Sequence, residues 1–340
     1  MKIAIHHRPN SYSDLWIKYC QKHNVQYKIV DAYDNDILSQ ISDCDIFMWH
    51  FHHNSYKDYL FAKQLIYVIQ TQLGKNTYPD IDTCWHFDDK VGQKYLLEAI
   101  GVPLTPTYVF YSQNDALNWI EQTEFPKVFK LRSGINSKNV TFVENANQAE
   151  DLSTKAFGYG FQKNSHWIRI AQRWQQYRKG HCTLKWFLKG IVTLYSYKER
   201  FNKEEIGYAY FQDFMQDNDF DMRAFLIGNR AVAVKRMNRE NDFRASGSGR
   251  LIYDKEQISL DYIKTSFEIK KQLNVQSLAI DFLHNSNGQV IVSEISYNCG
   301  LETNKDYHGY WTADLQWHEC KINDFCNFII EDVIAKIDKK

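Results

Sequence analysis

The stretch LAIDFLHNSNGQVIVSEISYNCG, Leu278 to Gly300, sets two acids, Asp281 and Glu294, inside apolar strand-forming runs on either side of an Asn-Gly pair. Asn287-Gly288 flanked by alternating apolar residues predicts a hairpin, because a type I′ turn needs positive φ at both central positions. With those two residues as the loop, Ser286 pairs with Gln289, Leu283 with Val292, and Asp281 with Glu294. Side chains alternate between faces, so the two carboxylates stand opposite each other on one face. Like charges so placed repel, by on the order of 4 kcal/mol at about 4 Å and an effective dielectric of about 20. A fold tolerates such a pair if one acid stays protonated, if a basic side chain lies between them, or if a cation such as magnesium bridges them. It also tolerates them on an exposed face where both are solvated. A slip of one residue in register separates them.

The rest of the chain narrows the surroundings of this hairpin. At 340 residues it can bury a large core and build two or three subdomains. Lys plus Arg equals Asp plus Glu at 41 each, which argues against nucleic acid or an anionic membrane as partner. The start, MKIAIHHRPN, reads as a strand and a polar turn rather than a signal peptide. No apolar run approaches the ~20 residues that span a bilayer. Seven scattered cysteines without CxxC spacing fit reduced thiols in a cytoplasmic protein.

Strand and helix signals alternate over residues 1–85: KIAIHH, SDLWIKYCQKHN, QYKIVDAY, DILSQIS, DIFMWHF. That order predicts a small parallel α/β unit. A helix follows from about Asp89 and stops at Gly101, with Pro103 just beyond. Then come the strand PTYVFY, the helix NDALNWIEQ and the strand PKVFKLRS. Residues 186–200 read as a strand region, GYAYFQDFM as a strand leading into an acidic loop, and DMRAFLIGNRAVAVKRMNR as a hairpin across Gly228-Asn229. Helices are expected at about 258–273 and 323–338. The result is a mixed α+β body behind a small α/β lead domain.

Several motifs fail on inspection. There is no Walker A sequence, and GYGFQK has Lys163 where a dinucleotide fold needs its third glycine. DNDFDMR lacks the glycine and the closing Glu of a calcium loop, and WHEC lacks a second His. His50 to His53, HFHH, reads as a polar strand end, since adjacent strand residues point to opposite faces. RIAQRWQQYRK, Arg169 to Lys179, reads as a solvated basic helix face.

Five separated pieces remain and complement one another. FPKVFKLRSGINSKNV carries Lys130 and Arg132 on one strand face before a small polar loop with Ser133 and Ser137. FDDKVGQK places Lys90 near a helix start, where free backbone N–H groups favour anions. YFQDFMQDND supplies a backbone edge for a purine, followed by acids for a ribose. DMRAFLIGNRAVAVKRMNRENDFRASGSG contributes Arg223, Arg236 and Arg244, and the two metal-competent acids come last.

This order resembles the ATP-grasp superfamily over about residues 86–300, above all the branch of ribosomal-protein S6 glutamate ligase, lysine-biosynthesis ligase and glutathione synthetase. The matching pieces are DDKVGQKYLLEAIGVPLTPT, FPKVFK, the hinge YFQDFM, the arginine hairpin and the Asp and Glu strands. GYWTADLQWHE is also similar to ATP-grasp proteins of bacterial surface-polysaccharide loci. The resemblance implies an ATP-grasp fold with residues 1–85 as a pre-ATP-grasp domain, 86–205 as a central subdomain and 206–340 as a C-terminal subdomain. It implies that Lys90 and Lys130 hold the α and β phosphates, with Ser133 in the covering loop. It implies adenine contact by Gln212 with the backbone of Asp213 and Met215, and ribose contact by Asp219, with Asp217 as its competitor. Asp281, Glu294, Ser296 and Asn298 take the Mg²⁺ (or Mn²⁺) positions, while Arg236 and Arg244 take those that stabilise the transferring phosphoryl group.

Two departures stand out. Gly134 is the only glycine in the covering loop SGINSKN, and EISYN puts Ser296 where the family has asparagine, with Asn298 two residues late. The activity implied is an ATP-dependent carboxylate–amine ligase, acting on small-molecule carboxylate and amine substrates through an acyl phosphate. An amino acid or a surface-glycan sugar is the substrate class it suggests. A small-molecule kinase on the same fold and a non-catalytic nucleotide-binding protein are the alternatives, and a homodimer is the assembly left open.

Overall fold

Short apolar strands separated by amphipathic helices build the N-terminal segment, as expected. The computed structural model describes residues 1–52, 55–134, 139–162, 174, 177, 184, 188, 204–240, 242–298, 307–320 and 325–337. Strands β1 (Lys2–His6), β2 (Gln26–Val30), β3 (Ile46–Met48) and β4 (Asn76–Tyr78) form an all-parallel sheet in the order β2-β1-β3-β4. The connecting helices are α1 (Tyr12–His23), α2 (Ile37–Gln40), α3 (Tyr56–Thr71) and α4 (Ile81–Cys84). Sequence reading passed over α3, β4 and α4. In α1, buried Tyr12, Trp16 and Cys20 recur every four residues, the stripe a helix needs to lie on a sheet. Helix α5 (Lys90–Ala99) then opens on the Asp89 N-cap, whose carboxylate accepts from the Gly92 N–H at 3.0 Å.

The chain forms two compact units, one from Met1–Pro106 and Met215–Lys340, the other from Thr107–Gly134 and Lys138–Phe214. The second unit holds β5 (Thr107–Phe110), α6 (Gln113–Ile120), β6 (Lys127–Lys130), β7 (Val140–Val143), α7 (Ala146–Phe157), β8 (Phe161–Gln162), β9 (Glu204–Glu205) and β10 (Ala209–Asp213). Its antiparallel sheet runs β5-β10-β6-β7, and β8 pairs with β9. Helices α6 and α7 cover the face bearing Phe129 and Phe211. The strand expected over residues 186–200 lies outside the described residues except Leu188, which is helical. The stretch 169–179, apart from Trp174 and Tyr177, lies outside them too, as do Lys163, Ser137 and His53.

The first unit continues with β11 (Phe220–Ile227), β12 (Arg230–Met237), β13 (Leu251–Ile252), α8 (Leu260–Leu273), β14 (Ser277–His284), β15 (Val290–Ser296), β16 (Gly309–Thr312), β17 (Trp317–Glu319) and α9 (Asn327–Ile337). Six strands run β15-β14-β11-β12-β16-β17, and β13 pairs with β12. Alternation gives this sheet two faces. Met222, Ala224, Leu226, Ile280 and Phe282 pack under α8. On the other face Phe225, Ile227, Val232, Val234 and Ala279 pack against Ile3 and Ile5 of β1, Trp16 of α1 and Ile329 of α9. Farther along that second face, toward Asp221, the apolar residues give way to charge.

The hairpin between β14 and β15 departs from the expected register near its turn. His284 lies opposite Val290, Leu283 opposite Ile291 and Phe282 opposite Val292. Gly288 has φ +73° while Asn287 is not in the positive-φ region, so the type I′ turn does not form. The Gly288 N–H donates to the Asn285 carbonyl, and the Asn285 carboxamide oxygen accepts from the N–H groups of Asn287 and Gln289. This is the three-residue loop with a glycine in the left-handed region. The extra residue is compensated farther up: a β-bulge at Ser293 brings Asp281 opposite Glu294 after all.

Candidate functional site

The charged end of the second face follows directly from strand register. The tight turn at Gly228-Asn229, where Gly228 has φ +55°, sets Ile227 opposite Arg230 and therefore Asp221 opposite Arg236. On the neighbouring ladder Arg223 lies opposite Asp281, and beyond it Asp281 opposite Glu294. Acid thus faces base on two of the three ladders, and acid faces acid on the third, between β14 and β15.

The contacts of Arg223 with Asp281 and of Arg236 with Asp221 are short and bidentate. Arg223 donates from Nε to Asp281 Oδ1 at 2.5 Å and from Nη2 to Oδ2 at 2.6 Å. Arg236 donates to Asp221 at 2.5 and 2.7 Å, and its Nη2 also reaches Asp281 Oδ2 at 2.9 Å. Lys90, the first residue of α5 and itself buried, donates from Nζ to Glu294 Oε1 at 3.0 Å. The repulsion anticipated between the two acids is therefore met by basic side chains, each carboxylate having its own partner.

Electrostatics follow from this arrangement. Burial pushes the Asp281 carboxyl up, but the two guanidinium groups outweigh it and hold the acid well below the usual carboxylate range. Burial raises Asp221, which has only Arg236 as a bonded cation. Burial also works against the Lys90 ammonium, yet Glu294 and Asp88 overcome it and raise its pKa.

The other expected site residues divide between the units. Ser296 shares the face of Glu294, opposite Ala279, and its Oγ accepts from the Asn298 N–H at 3.4 Å. Asn298 lies past the end of β15, and its Nδ2 meets His50 Nε2 at 3.1 Å. His50 is no simple strand-end polar residue: it is buried, its Nδ1 meets Ser11 Oγ at 2.7 Å, and its ring stacks on Tyr12. Arg244 stands on a separate loop and pairs with Asp242 at 2.6 Å. Asp219 and Asp217 are exposed, and Met215 is half-buried.

In the second unit Lys130 and Gln212 are buried together. Lys130 Nζ donates to Gln212 Oε1 at 2.5 Å, and Gln212 Nε2 donates to Thr107 Oγ1 at 3.0 Å. Asp213 pairs with Lys127 at 2.7 Å. Buried Ser133 donates to the buried carboxylate of Glu205, which also accepts from Tyr208 Oη at 2.8 Å. Sequence reading missed Glu205 and Tyr208. It also missed Asp221, although the Gly228-Asn229 hairpin, counted outward, pairs Asp221 with Arg236.

Asp281 and Glu294 fit a divalent ion of the magnesium type. Their donors are hard oxygens: Asp281 Oδ2 already takes two donors, but Oδ1 takes one and keeps a lone pair, and Glu294 Oε2 accepts no hydrogen bond among the described residues. No group of three or more His, Cys, Asp or Glu that could hold a metal occurs among the described residues. Coordination would be completed by water and phosphate oxygens, the mode magnesium prefers.

Residues 198–314 match the family model of the RimK-like ATP-grasp domain. No curated protein matches significantly in sequence. Among solved structures, the chain is similar to D-cycloserine synthetase DcsG, at TM-score 0.59 and 13% identity over 99% of this chain and 100% of that one. D-alanine–D-alanine ligase from Bacillus anthracis aligns at TM-score 0.55 and 12% identity, covering 100% and 99%. A RimK domain ATP-grasp protein from Sphaerobacter thermophilus DSM 20745 aligns at TM-score 0.52 and 12% identity, covering 87% and 90%.

Proposed function

Because the chain is an ATP-grasp protein with a RimK-like domain, we propose that it is an ATP-dependent carboxylate–amine ligase. The observation that carries this reading is the lattice of Asp221, Arg223, Arg236, Asp281, Glu294 and Lys90 on one end of a sheet face. It is balanced, three acids against three bases, and every charge already has a partner. Such a lattice can exchange its internal partners for the anionic oxygens of a nucleotide and for a cation without leaving a charge stranded.

The chemistry we assign runs in two steps. A substrate carboxylate oxygen attacks the γ-phosphorus of ATP, the bond to the β-phosphate oxygen breaks, and ADP and an acyl phosphate form. An amine then attacks the acyl carbon, phosphate leaves with the bonding pair, and the amine releases a proton to give the amide. Positioning and charge neutralisation carry most of phosphoryl transfer. Lys90 and Lys130 are assigned to the α and β phosphates, Ser133 to the loop beside them, and Arg236 and Arg244 to the transferring group. Gln212, with the backbone of Asp213 and Met215, is assigned to adenine, and Asp219 to the ribose. Asp281 and Glu294, with Ser296 and Asn298 alongside, would hold Mg²⁺ or Mn²⁺, which when bound would neutralise phosphate oxygens. We retain 1–85, 86–205 and 206–340 as the functional divisions, and an amino acid or a surface-glycan sugar as the substrate class.

One observation favours a rival without turnover. Asn298, the nearest asparagine to the usual metal position, is engaged with His50. A non-catalytic nucleotide-binding protein would bind ATP and release no ADP with any substrate. The deciding experiment incubates the protein with ATP, Mg²⁺ and pairs drawn from amino acids, uronates and amines. The ligase reading expects ADP and inorganic phosphate that depend on both substrates. AMP and pyrophosphate, or no product with any pair, would overturn it.

A further inference from the structure

Among the residues of the charged lattice, Asp221 has no part in the assignments above, yet its contacts give it one. We infer that Asp221 is a positioning residue that sets the guanidinium of Arg236 for phosphoryl transfer, an inference that rests on the ligase reading. A guanidinium has five N–H donors in a fixed plane. In Arg236 the Nε–H and one Nη2–H go to the two oxygens of Asp221, at 2.5 and 2.7 Å, and Nη2 also reaches Asp281 at 2.9 Å. Nη1 makes no hydrogen bond among the described residues and keeps its two donors for an oxygen of the substrate.

The planar two-bond fork fixes both distance and rotation. Without Asp221 the guanidinium is tied only to Asp281, an acid that Arg223 already holds by two bonds of its own. Arg223 has no second acid to orient it, whereas Arg236 sits between two and is the more deeply buried, with side-chain exposures of 26% and 6%. The carboxylate of Asp221 is in turn placed by the ladder that runs from the tight turn at Gly228-Asn229. Asp221 therefore acts through Arg236 and touches no reacting atom itself.

Steady-state kinetics with an acid–amine pair from the screen test this. Asp221→Asn is expected to lower kcat at least about tenfold while the KM for ATP changes less than about threefold, because displacing a catalytic group by about 1 Å costs up to about a hundredfold in rate. Asp221→Glu keeps the charge but moves the carboxylate by one methylene, and it should lower kcat in the same way. In an Arg236→Lys background, which has no fork to align, Asp221→Asn should add less than about a threefold further loss. Circular dichroism checks that each variant is folded, and if Asp221→Asn does not fold, Asp221→Glu decides alone. Normal kcat in the folded variants, or an equal loss in the Arg236→Lys background, overturns the inference. An active wild type with an indifferent Asp221 overturns this inference alone, whereas a wild type inactive with every pair overturns the ligase reading and this inference with it.

Discussion

Asp281 and Glu294 illustrate how far a pair of residues can be understood from charge alone. Opposed carboxylates demanded compensation, and the structure supplies it through Arg223, Arg236 and Lys90. Which compensation operates was not legible beforehand, because it depends on cross-strand neighbours brought in by two other ladders. His86 presents the opposite case: it is fully buried, and neither ring nitrogen has a hydrogen-bond partner among the described residues. Burial, helped by Lys63, lowers its pKa to about 4 from the model-compound 6.5. Above pH 6.5 neither folded nor unfolded chain protonates this residue, so it has no pH effect there. As pH falls from 6.5 toward 4 the unfolded chain takes up the proton and the folded chain does not, so stability is lost over that window. The shift corresponds to about 3 kcal/mol. Urea unfolding of wild type and His86→Leu at pH 7 and pH 4 should reveal this difference between them. Equal acid losses in the two proteins would contradict the account.

Helix α5 and the β14–β15 hairpin locate the lattice, and each was legible to a different degree. The helix could be read from its ends, with Asp89 before it and Gly101 after it, because caps are local chemistry. Lys90 stands at the first position of that helix only while the Asp89 cap holds the first turn. Asp89→Ala should lower stability by about 1 kcal/mol, and Asp89→Ser should recover most of it, by chemical denaturation. An unchanged Asp89→Ala protein would show that the cap does no work. In the hairpin, Asp281 does face Glu294, but the turn was misread. A loop longer by one residue is offset by the Ser293 bulge, and a bulge leaves no local signal in composition. The β11–β12 hairpin needed no such correction, since glycine at the first loop position matches a two-residue turn.

Across the entire chain, the parallel N-terminal unit, strands β5, β6 and β10 of the second unit and the two hairpins β11–β12 and β14–β15 were foreshadowed by alternation and turn residues, while β7, α7, β13, β16 and β17 were not. Long-range packing was not. That Ile3, Ile5 and Trp16 would lie against Phe225 and Val234 is settled by tertiary contacts with no trace in local pattern. The same holds for Asn298 meeting His50 across 248 residues of sequence. The helix α3 was passed over because its apolar residues give a weak amphipathic stripe at a strand-like density, and its burial depends on the sheet beneath it. No helix among the described residues is long and apolar enough to cross a membrane.

The central claim is that a substrate carboxylate is activated as an acyl phosphate before an amine displaces the phosphate. The most direct measurement uses an acid from the screen labelled with oxygen-18 in its carboxyl group, followed by mass analysis of the inorganic phosphate released with ATP and the amine. Activation at the carboxylate transfers one labelled oxygen to each phosphate. Phosphate without label, formed alongside the amide, would contradict it.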